Sequence, residues 1–463
     1  MHSGGSRPHA TNFRGDWVAM SYSSCVKKGL LQPAPSQEAD GYVIAGFTAQ
    51  DAADIPRAFT AVYGRDYLSS VVYDPEAFKA LIASGEQISL IARDGRGDIA
   101  GHIALAFSAP NRGLVELCQG IVTPEHRKSG IFVRMIDRAL DFARDELGAH
   151  AVYGISLTNH IVSQKVVARR GFRDVGMEID YVPQRMLVRE GHGGPAATLV
   201  QYLDYGHHDY QPCHLPPSYA VWFTRLLEGA SIGGQRQITL ATGLDRRATV
   251  SELMDMPRFD MARLLVRRAG FDFWSLVGDH EAAAEANGRR SFQVLINLGS
   301  AEGAAAVELL RGWGYACSGL LPGYLEGGQH AAIMYRNFEA PYFAGIQLHD
   351  EGAQRLLANI SNDWQRAERL GAELRHLIDE EAAEAPATIS LPRQPDASVP
   401  TLEMARELLG IGGRVPLESG GMTPVNVNGE ARTIPDEDGP AELPAADPAP
   451  ADERRDEPGT ATA

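Results

Sequence analysis

IVTPEHRKSGIF spans Ile121–Phe132 and decides how the chain is read. An apolar run ends at Val122, Pro124 follows, and a basic turn with a single glycine, Gly130, leads into a helical pattern. A strand that ends in a short turn and enters a helix presents unpaired backbone N–H groups at the positive end of the helix dipole, where anions bind. Gly130 lets the backbone approach an anion, Ser129 offers a hydroxyl, and Arg127 and Lys128 add positive charge. Alone, an Arg three residues before a Gly is common, and an ordinary basic helix start is the competing reading. The flanking sequence has to decide.

Working outward, GYVIAGF opens the ordered patterning, and AADIPRAFTAVYGRDYL carries Ile55, Phe59, Val62 and Tyr63 at helical spacing. QISLIARD and DIAGHIALAF read as a hairpin joined by DGRG, and GLVELCQGIV as the next strand. Beyond the turn, GIFVRMIDRALDFARDELG predicts a helix with Phe132, Ile136, Leu140, Ala143 and Leu147 on one face and Gly148 as its stop. AVYGISL reads as a buried strand, NHIVSQKVVARRGF as a helix with Asn159 at its N-cap, and RDVGMEIDYVP as a further strand. The predicted order, β-α-α-β-β-β-α-β-α-β, is a mixed α/β domain over residues 41–190.

VTPEHRKSGIF, then a helix, a strand and TNHIVSQKVVARRGF, resembles in order and spacing the GNAT superfamily of CoA-dependent acyltransferases. The resemblance implies the GNAT-like N-acyltransferase fold, an α/β mixed sheet, with acetyl-CoA or another acyl-CoA as co-substrate and no metal. Carried over residue by residue, Arg127, Lys128, Ser129, Gly130, Ile131 and Phe132 would form the pyrophosphate turn, and Gly120, Ile121 and Val122 the strand end beside pantetheine. Asn159, Ser163 and Gln164 match the second motif. Two positions depart from the pattern. Phe132 stands where Gly or Ala is usual, and Val167 stands four residues before the Gly of Gly171-Phe172, where many members carry a Tyr as acid for the leaving thiolate. Another group or solvent then protonates the thiolate, or the domain does not catalyse.

A second segment, residues 195–345, repeats part of this logic: ELLRGWGYACSGLLPG echoes KVVARRGFRDVGMEIDYVP, and SFQVLINL precedes it as AVYGISL precedes the first copy. Together they resemble bacterial two-module GNAT proteins with an intact first and a degenerate second domain. The second copy lacks a counterpart of TPEHRKSG and is expected to hold no equivalent ligand. Residues 350–380 read as a long amphipathic helix, with Leu357, Ile360, Trp364, Ala367, Leu374 and Ile378 near a 3.5 period. It packs on its own domain or forms a homodimer seam.

The chain has 463 residues, 44% hydrophobic and 22% charged, an ordinary globular composition. Its formal charge of -16 is mostly local: from Asp379 to Ala463 there are 18 Asp/Glu against 6 Lys/Arg. That stretch reads as a disordered acidic Pro/Ala-rich tail, 381–463, in which TLEMARELLG is a short helical exception. The rest is near neutral, which gives no support to nucleic-acid or membrane partners. Cys25, Cys118, Cys213 and Cys317 show no metal or disulfide spacing. Residues 1–40 read as a flexible leader without a signal-peptide core, and a cytoplasmic location is expected.

Acyl transfer to an amine requires removal of a proton, because an alkylammonium with a pKa near 10 is mostly not nucleophilic at neutral pH. Glu116 is the candidate base: alternation places it with Cys118 and Gly120 opposite Val115, Leu117 and Ile121, a carboxylate in an apolar strand. His160 is a candidate acid or water-relay partner. His207 and His208 adjoin and do not share a helix face, so a metal site there is not expected. GHGG at 191–194 opens no helix and reads as a linker. The expectation is an N-acetyltransferase acting on a small-molecule or peptide amine. The rivals are a non-catalytic acyl-CoA sensor and an enzyme whose donor is an acyl carrier protein.

Overall fold

The structure, a computed structural model, describes residues 37–39, 41–188, 191–206, 210–240 and 243–384. The expectations for the chain before Gln37, for His207 and His208, for the acidic tail beyond Glu384 and for TLEMARELLG lie outside the described residues. Gln37–Ala39, expected within the leader, form a short strand (β1) paired antiparallel with β2, Tyr42–Gly46.

The first half then runs α1 (Ile55–Tyr63), α2 (Pro75–Ala83), β3 (Gln87–Arg93), β4 (Ile99–Ala106), β5 (Leu114–Val122), α3 (Ile131–Asp141), β6 (Ala151–Leu157), α4 (Val162–Ala168) and β7 (Arg173–Val182). That is the order read from the sequence. Local chemistry explains the boundaries. Asp74 caps α2 by accepting from the N–H groups of Glu76 and Ala77 at 3.0 and 3.1 Å, and Pro75 fills the first helical position, where no N–H is needed. Past Asp141 the chain makes a π turn, and Gly148, at φ 63°, ends the run.

β8 (Ala196–Asp204) corrects the expected domain boundary. Assigned by sequence to a second domain starting at 195, it instead lies between β6 and β7, antiparallel to both. Its near-continuous burial explains the misreading: an apolar run names no partner strand. The rest runs β9 (Cys213–Leu215), α5 (Ala220–Gly229), β10 (Arg236–Ile238), β11 (Val250–Met256), β12 (Met261–Arg268), α6 (Phe273–Ala286), β13 (Ser291–Asn297), α7 (Ala301–Gly312), β14 (Ala316–Leu325), β15 (Gln329–Asn337) and α8 (Glu351–Glu384). β9 and β10 form a separate parallel pair.

The remaining strands make one 13-stranded sheet, ordered β1-β2-β3-β4-β5-β6-β8-β7-β14-β15-β13-β12-β11. Within it, β4-β5-β6-β8-β7 and β11-β12-β13-β15-β14 have the same pairing pattern: antiparallel, parallel, antiparallel, antiparallel. The two sets meet where β7 pairs β14 at Gly176 and Gly319. Packing follows the sheet's two faces. Ile131, Met135, Ile136, Ala139 and Leu140 of α3 bury against Val115, Leu117, Ile103 and Val152, while Ile55, Phe59 and Phe78 of α1 and α2 cover Ile91, Ile99 and Ile121. Each such large side chain contributes about 1.5–3 kcal/mol of burial. The expected stripe on α8 is used within the chain as far as Ala367: Ala353, Leu356, Ile360 and Ala367 pack on Met177, Leu199, Ala316 and Tyr335.

Candidate active site

β5 and β6 are parallel neighbours for only four residues each, Leu114–Leu117 against Ala151–Gly154. β5 continues to Val122 and β6 to Leu157, so the strands part after Leu117 and Gly154. The β6-facing edge of Cys118–Val122 has no strand partner among the described residues. The parting is coupled to a bulge in β5. Ala104 pairs with Cys118 but His102 pairs with Ile121, which leaves one extra residue on β5, and Gln119 takes φ 53° to accommodate it. Reciprocal amide bonds to Gln87, 3.0 and 2.9 Å, hold Gln119, and its carbonyl accepts from His102 Nδ1 at 2.9 Å.

The bulge overturns the simple alternation expected of this strand. Val115 and Leu117 face α3, and so does Gly120, whose α-carbon lies beneath the Phe132 ring. Glu116 and Cys118 face the other way, and Ile121 joins the α1–α2 cluster instead of the Val115 side. An inserted residue reverses the parity of everything after it.

At the far end of the gap lies the basic turn. Thr123 precedes a short 3-10 turn over Pro124–His126, Lys128 is at φ 69°, and Gly130 at φ 80° delivers the chain into α3. Arg127, Lys128, Ser129 and Gly130 are all exposed, and neither Arg127 nor Lys128 has an ion-pair partner among the described residues. Ser129 Oγ accepts from Ile131 N at 3.3 Å. Among the described residues no acceptor meets the N–H groups of Lys128, Gly130, Phe132 or Val133. His126 is held back from the turn by Tyr42, 2.9 Å away, and Asp94. The turn therefore fits a pyrophosphate: unspent backbone donors, two unneutralised cations and a helix start.

Glu116 sits where the two strands begin to part. Its carboxylate accepts from the hydroxyls of Ser108 and Tyr153, the latter at 3.2 Å, and those two hydroxyls are 2.6 Å apart. Burial pushes the Glu116 pKa up, against the two hydroxyl bonds, which lower it; Glu178 adds to the rise and Arg263 opposes it. Such a carboxylate is a stronger base than an exposed one. Burial, with Glu116 beside it, holds the Cys118 thiol well above its usual range, so it stays protonated.

The second motif is arranged differently from expectation. α4 begins at Val162 with Ile161 at its N-cap and no side-chain cap, so Asn159 lies in the loop before the helix and does not cap it. Gln164 is fully buried and its amide donates to the carbonyls of Leu157, His160 and Gln347 at 3.1, 2.9 and 2.9 Å. It ties the loop after β6 to the segment before α8. Ser163 is half-buried and His160 exposed. His160 lies seven residues beyond Tyr153, the register partner of Glu116, so the structure does not bring His160 and Glu116 together. Val167 is 6% exposed, packed under α3. Sequence reasoning missed Ser108, Tyr153 and Gln119; only Tyr153, a phenol inside the apolar AVYGISL, carried the kind of signal that drew attention to Glu116.

The second half's counterpart of this gap is shut. β12 and β13 pair over six residues, and beyond them Asn297 Nδ2 donates to Arg267 O at 3.1 Å. A Cβ on Gly270 would lie 2.0 Å from Arg247 O, so residues 247–249 occupy the space before α6. Elsewhere, Asp174, His349 and Asp350 could gather round a cation, but His349 spends both ring nitrogens on these carboxylates, at 3.1 and 3.5 Å.

Residues 56–172 match the family described as acetyltransferase (GNAT) family. This chain carries a GNAT acetyltransferase domain. The match spans α1 to the end of α4 and includes the basic turn, the bulged strand and Glu116. It supports an acyltransferase, and GNAT acetyltransferases use acetyl-CoA as co-substrate. No curated protein matches the chain. Among solved structures, ribosomal-protein-S5-alanine acetyltransferase from Vibrio fischeri is 16% identical, with a TM-score of 0.31 over 38% of this chain and 98% of that one. A dodecameric spermidine N-acetyltransferase from Vibrio cholerae is 17% identical, with a TM-score of 0.30 over 36% and 95%. No helix of the described residues is long and apolar enough to cross a membrane.

Proposed function

We propose that the first half transfers an acyl group, most simply acetyl, from CoA to a primary amine, and that the repeated strand pattern of the second half is a degenerate GNAT-like domain that walls the acceptor site. The observation that carries this reading is the position of Glu116 at the vertex of the β5–β6 gap, with the unspent anion turn at the gap's other end. Bound acetyl-CoA would supply an activated thioester. The turn at 127–133 binds its pyrophosphate through backbone N–H groups, with Arg127 and Lys128 adding charge. The unpaired edge of Cys118–Val122 offers N–H groups to pantetheine and to the thioester carbonyl. Glu116 removes the ammonium proton, and the nitrogen attacks the carbonyl carbon. The nitrogen of the tetrahedral intermediate gives its second proton to solvent, and the intermediate collapses with loss of the thiolate, which solvent protonates, since Val167 has no proton to give. Tyr153 and Ser108 aim the carboxylate.

Val167 also favours a second reading, a protein that binds acyl-CoA without turning it over. Calorimetry with acetyl-CoA tests the shared part: no binding sinks both readings. Release of CoA thiol in the presence of amines separates them, since binding without turnover leaves the sensor.

A further inference from the structure

Where β7 meets the second half, the protein buries an ion pair. Glu178 of β7, 3% exposed in its side chain, bonds to Arg263 of β12, 11% exposed. Arg263 Nε donates to Gln293 Oε1 at 2.6 Å, and Thr198 Oγ1 lies 3.5 Å from the other Glu178 oxygen. A buried pair of this kind is seldom better for stability than an apolar replacement, so its presence asks for another reason. It does not stand apart from the acyl-transfer site. Glu116 pairs in register with Tyr153 and Tyr153 with Tyr202, which lies four residues along β8 from Thr198, the partner of Glu178; Glu116 is within electrostatic reach of both Glu178 and Arg263. Tyr324 of β14 lies edge-on to Tyr153 at 6.3 Å, and Arg263 lies over the Tyr181 ring at 5.9 Å. Among the described residues, Arg263 Nη1 and the hydroxyls of Tyr181 and Tyr324 make no hydrogen bond.

Resting on the reading of Glu116 as base, we propose that the acceptor is a monocationic primary amine with a neutral, hydroxyl- or amide-bearing body. Its ammonium would lie at Glu116 and its body against Arg263, Tyr181 and Tyr324. The charges set this class. Glu116, Glu178 and Arg263 together carry one net negative charge when Glu116 is ionised, and a single ammonium neutralises it. The second ammonium of a diamine would meet Arg263, and the carboxylate of a free amino acid would meet Glu178 and Glu116. Unpaired or repelled charge at a desolvated site is the strongest form of rejection. What remains unspent, two phenols and one guanidinium nitrogen, suits neutral oxygens.

The test is the initial rate of CoA-thiol release by the full chain with acetyl-CoA and four amines, each rate referred to the amine's own free-base fraction: ethanolamine and glucosamine against glycine and putrescine. The expected result is kcat/KM at least about tenfold higher for the first two, the size of one displaced charge–charge contact of about 1.4 kcal/mol. Putrescine or glycine leading, or no preference, overturns the proposal but leaves the enzyme reading standing. Thiol release with none of the four, while acetyl-CoA binds, overturns both. Tyr324→Phe, which removes one hydroxyl without opening a cavity, should raise KM for the preferred amine about three- to tenfold and leave the KM for acetyl-CoA unchanged. An unchanged amine KM overturns the assignment of the second half's wall.

Discussion

The Phe132 ring covers Gly120: a Cβ added to Gly120 would lie 2.9 Å from Phe132 Cε2. Phe132 thus does more than fill a helix stripe. It packs the first turn of α3 against the bulged end of β5, joining the two elements that would hold opposite ends of the donor. Gly120→Ala should push the ring aside, weaken acetyl-CoA binding about tenfold, and leave the fold intact, because only a side chain must move. Phe132→Leu in the same chain should restore much of the loss. Calorimetry of the two variants decides it; Gly120→Ala binding like wild type would mean that this contact is incidental.

Two neighbours in the turn separate conformation from charge. Lys128 holds φ 69° with a side chain, which costs about 1–2 kcal/mol, whereas Gly130 holds φ 80° without one and has no atom within 4 Å of an added Cβ. Lys128→Gly should therefore raise the unfolding free energy by about 1 kcal/mol and Lys128→Ala should not, while both lose the same cation from the donor site. Gly130→Val should damage donor binding more than either, by straining the backbone whose N–H groups are proposed to hold the pyrophosphate. Equal donor affinity in Gly130→Val and wild type would remove the turn from the site.

The joint between the halves rests on two glycines. Gly319, at φ 132°, would put a Cβ 2.4 Å from the Gly176 α-carbon and 2.5 Å from Val175 O, with only backbone to move. Gly319→Ala should destabilise the protein by about 2–3 kcal/mol. Gly176→Ala should destabilise it less, since the atoms nearest its added Cβ, Ile333 Cδ1 and Ser318 O at 3.2 Å and Leu320 O at 3.3 Å, stand farther off than those around Gly319. Urea unfolding measures both, and a neutral Gly319→Ala would show that the β7–β14 approach is looser than this geometry.

The sequence carried the order of elements through β7 because each announces itself locally: period 3.6 in α3, an apolar run in β6, a glycine with positive φ after each helix. It also carried the basic turn, which is contiguous. What it could not carry depends on distant strands. The Gln119 bulge needs β4 as a ruler, and without it Ile121 falls on the wrong face. β8 reads as an ordinary apolar strand until its pairing with β6 and β7 is known. Asn159 looked like a cap because a polar residue precedes a helical pattern, yet the helix waits until Val162. Glu178 and Arg263 lie 85 residues apart, and nothing in either strand names the other.

His102 predicts how the fold responds to acid. It is fully buried beside Phe59 and Phe78, donates from Nδ1 to the Gln119 carbonyl, and leaves Nε2 without a partner. Burial lowers its pKa from 6.5 to about 4, opposed weakly by the Gln119 bond. The folded state then refuses a proton that the unfolded chain accepts. Stability from this group is full above pH 6.5 and is lost as pH falls toward about 4, by about 3 kcal/mol in all. His102→Gln, which can keep the bond to Gln119, should flatten the stability profile over that window. An unchanged profile would place the acid sensitivity elsewhere.

Glu116 separates the enzyme from the sensor. With Glu116 as the proposed base, its raised pKa means that the ionised form appears only above the ordinary carboxylate range, so kcat/KM should rise with pH along an acidic limb displaced upward from 4.5. The same shift has the opposite sign for stability. The folded state holds the proton more tightly than the unfolded chain, so stability is full below the ordinary value and falls as pH rises through the raised one. Glu116→Gln removes the buried charge while keeping an acceptor for Ser108 and Tyr153. It should therefore be at least as stable as wild type at neutral pH and bind acetyl-CoA normally, since the turn lies at the other end of the gap. Its kcat/KM should fall about 100- to 10,000-fold and lose the acidic limb. A purely structural carboxylate would lower stability and donor affinity together. A Glu116→Gln protein with wild-type rates from pH 6 to 9 would exclude it as the base and make His160 the next residue to replace.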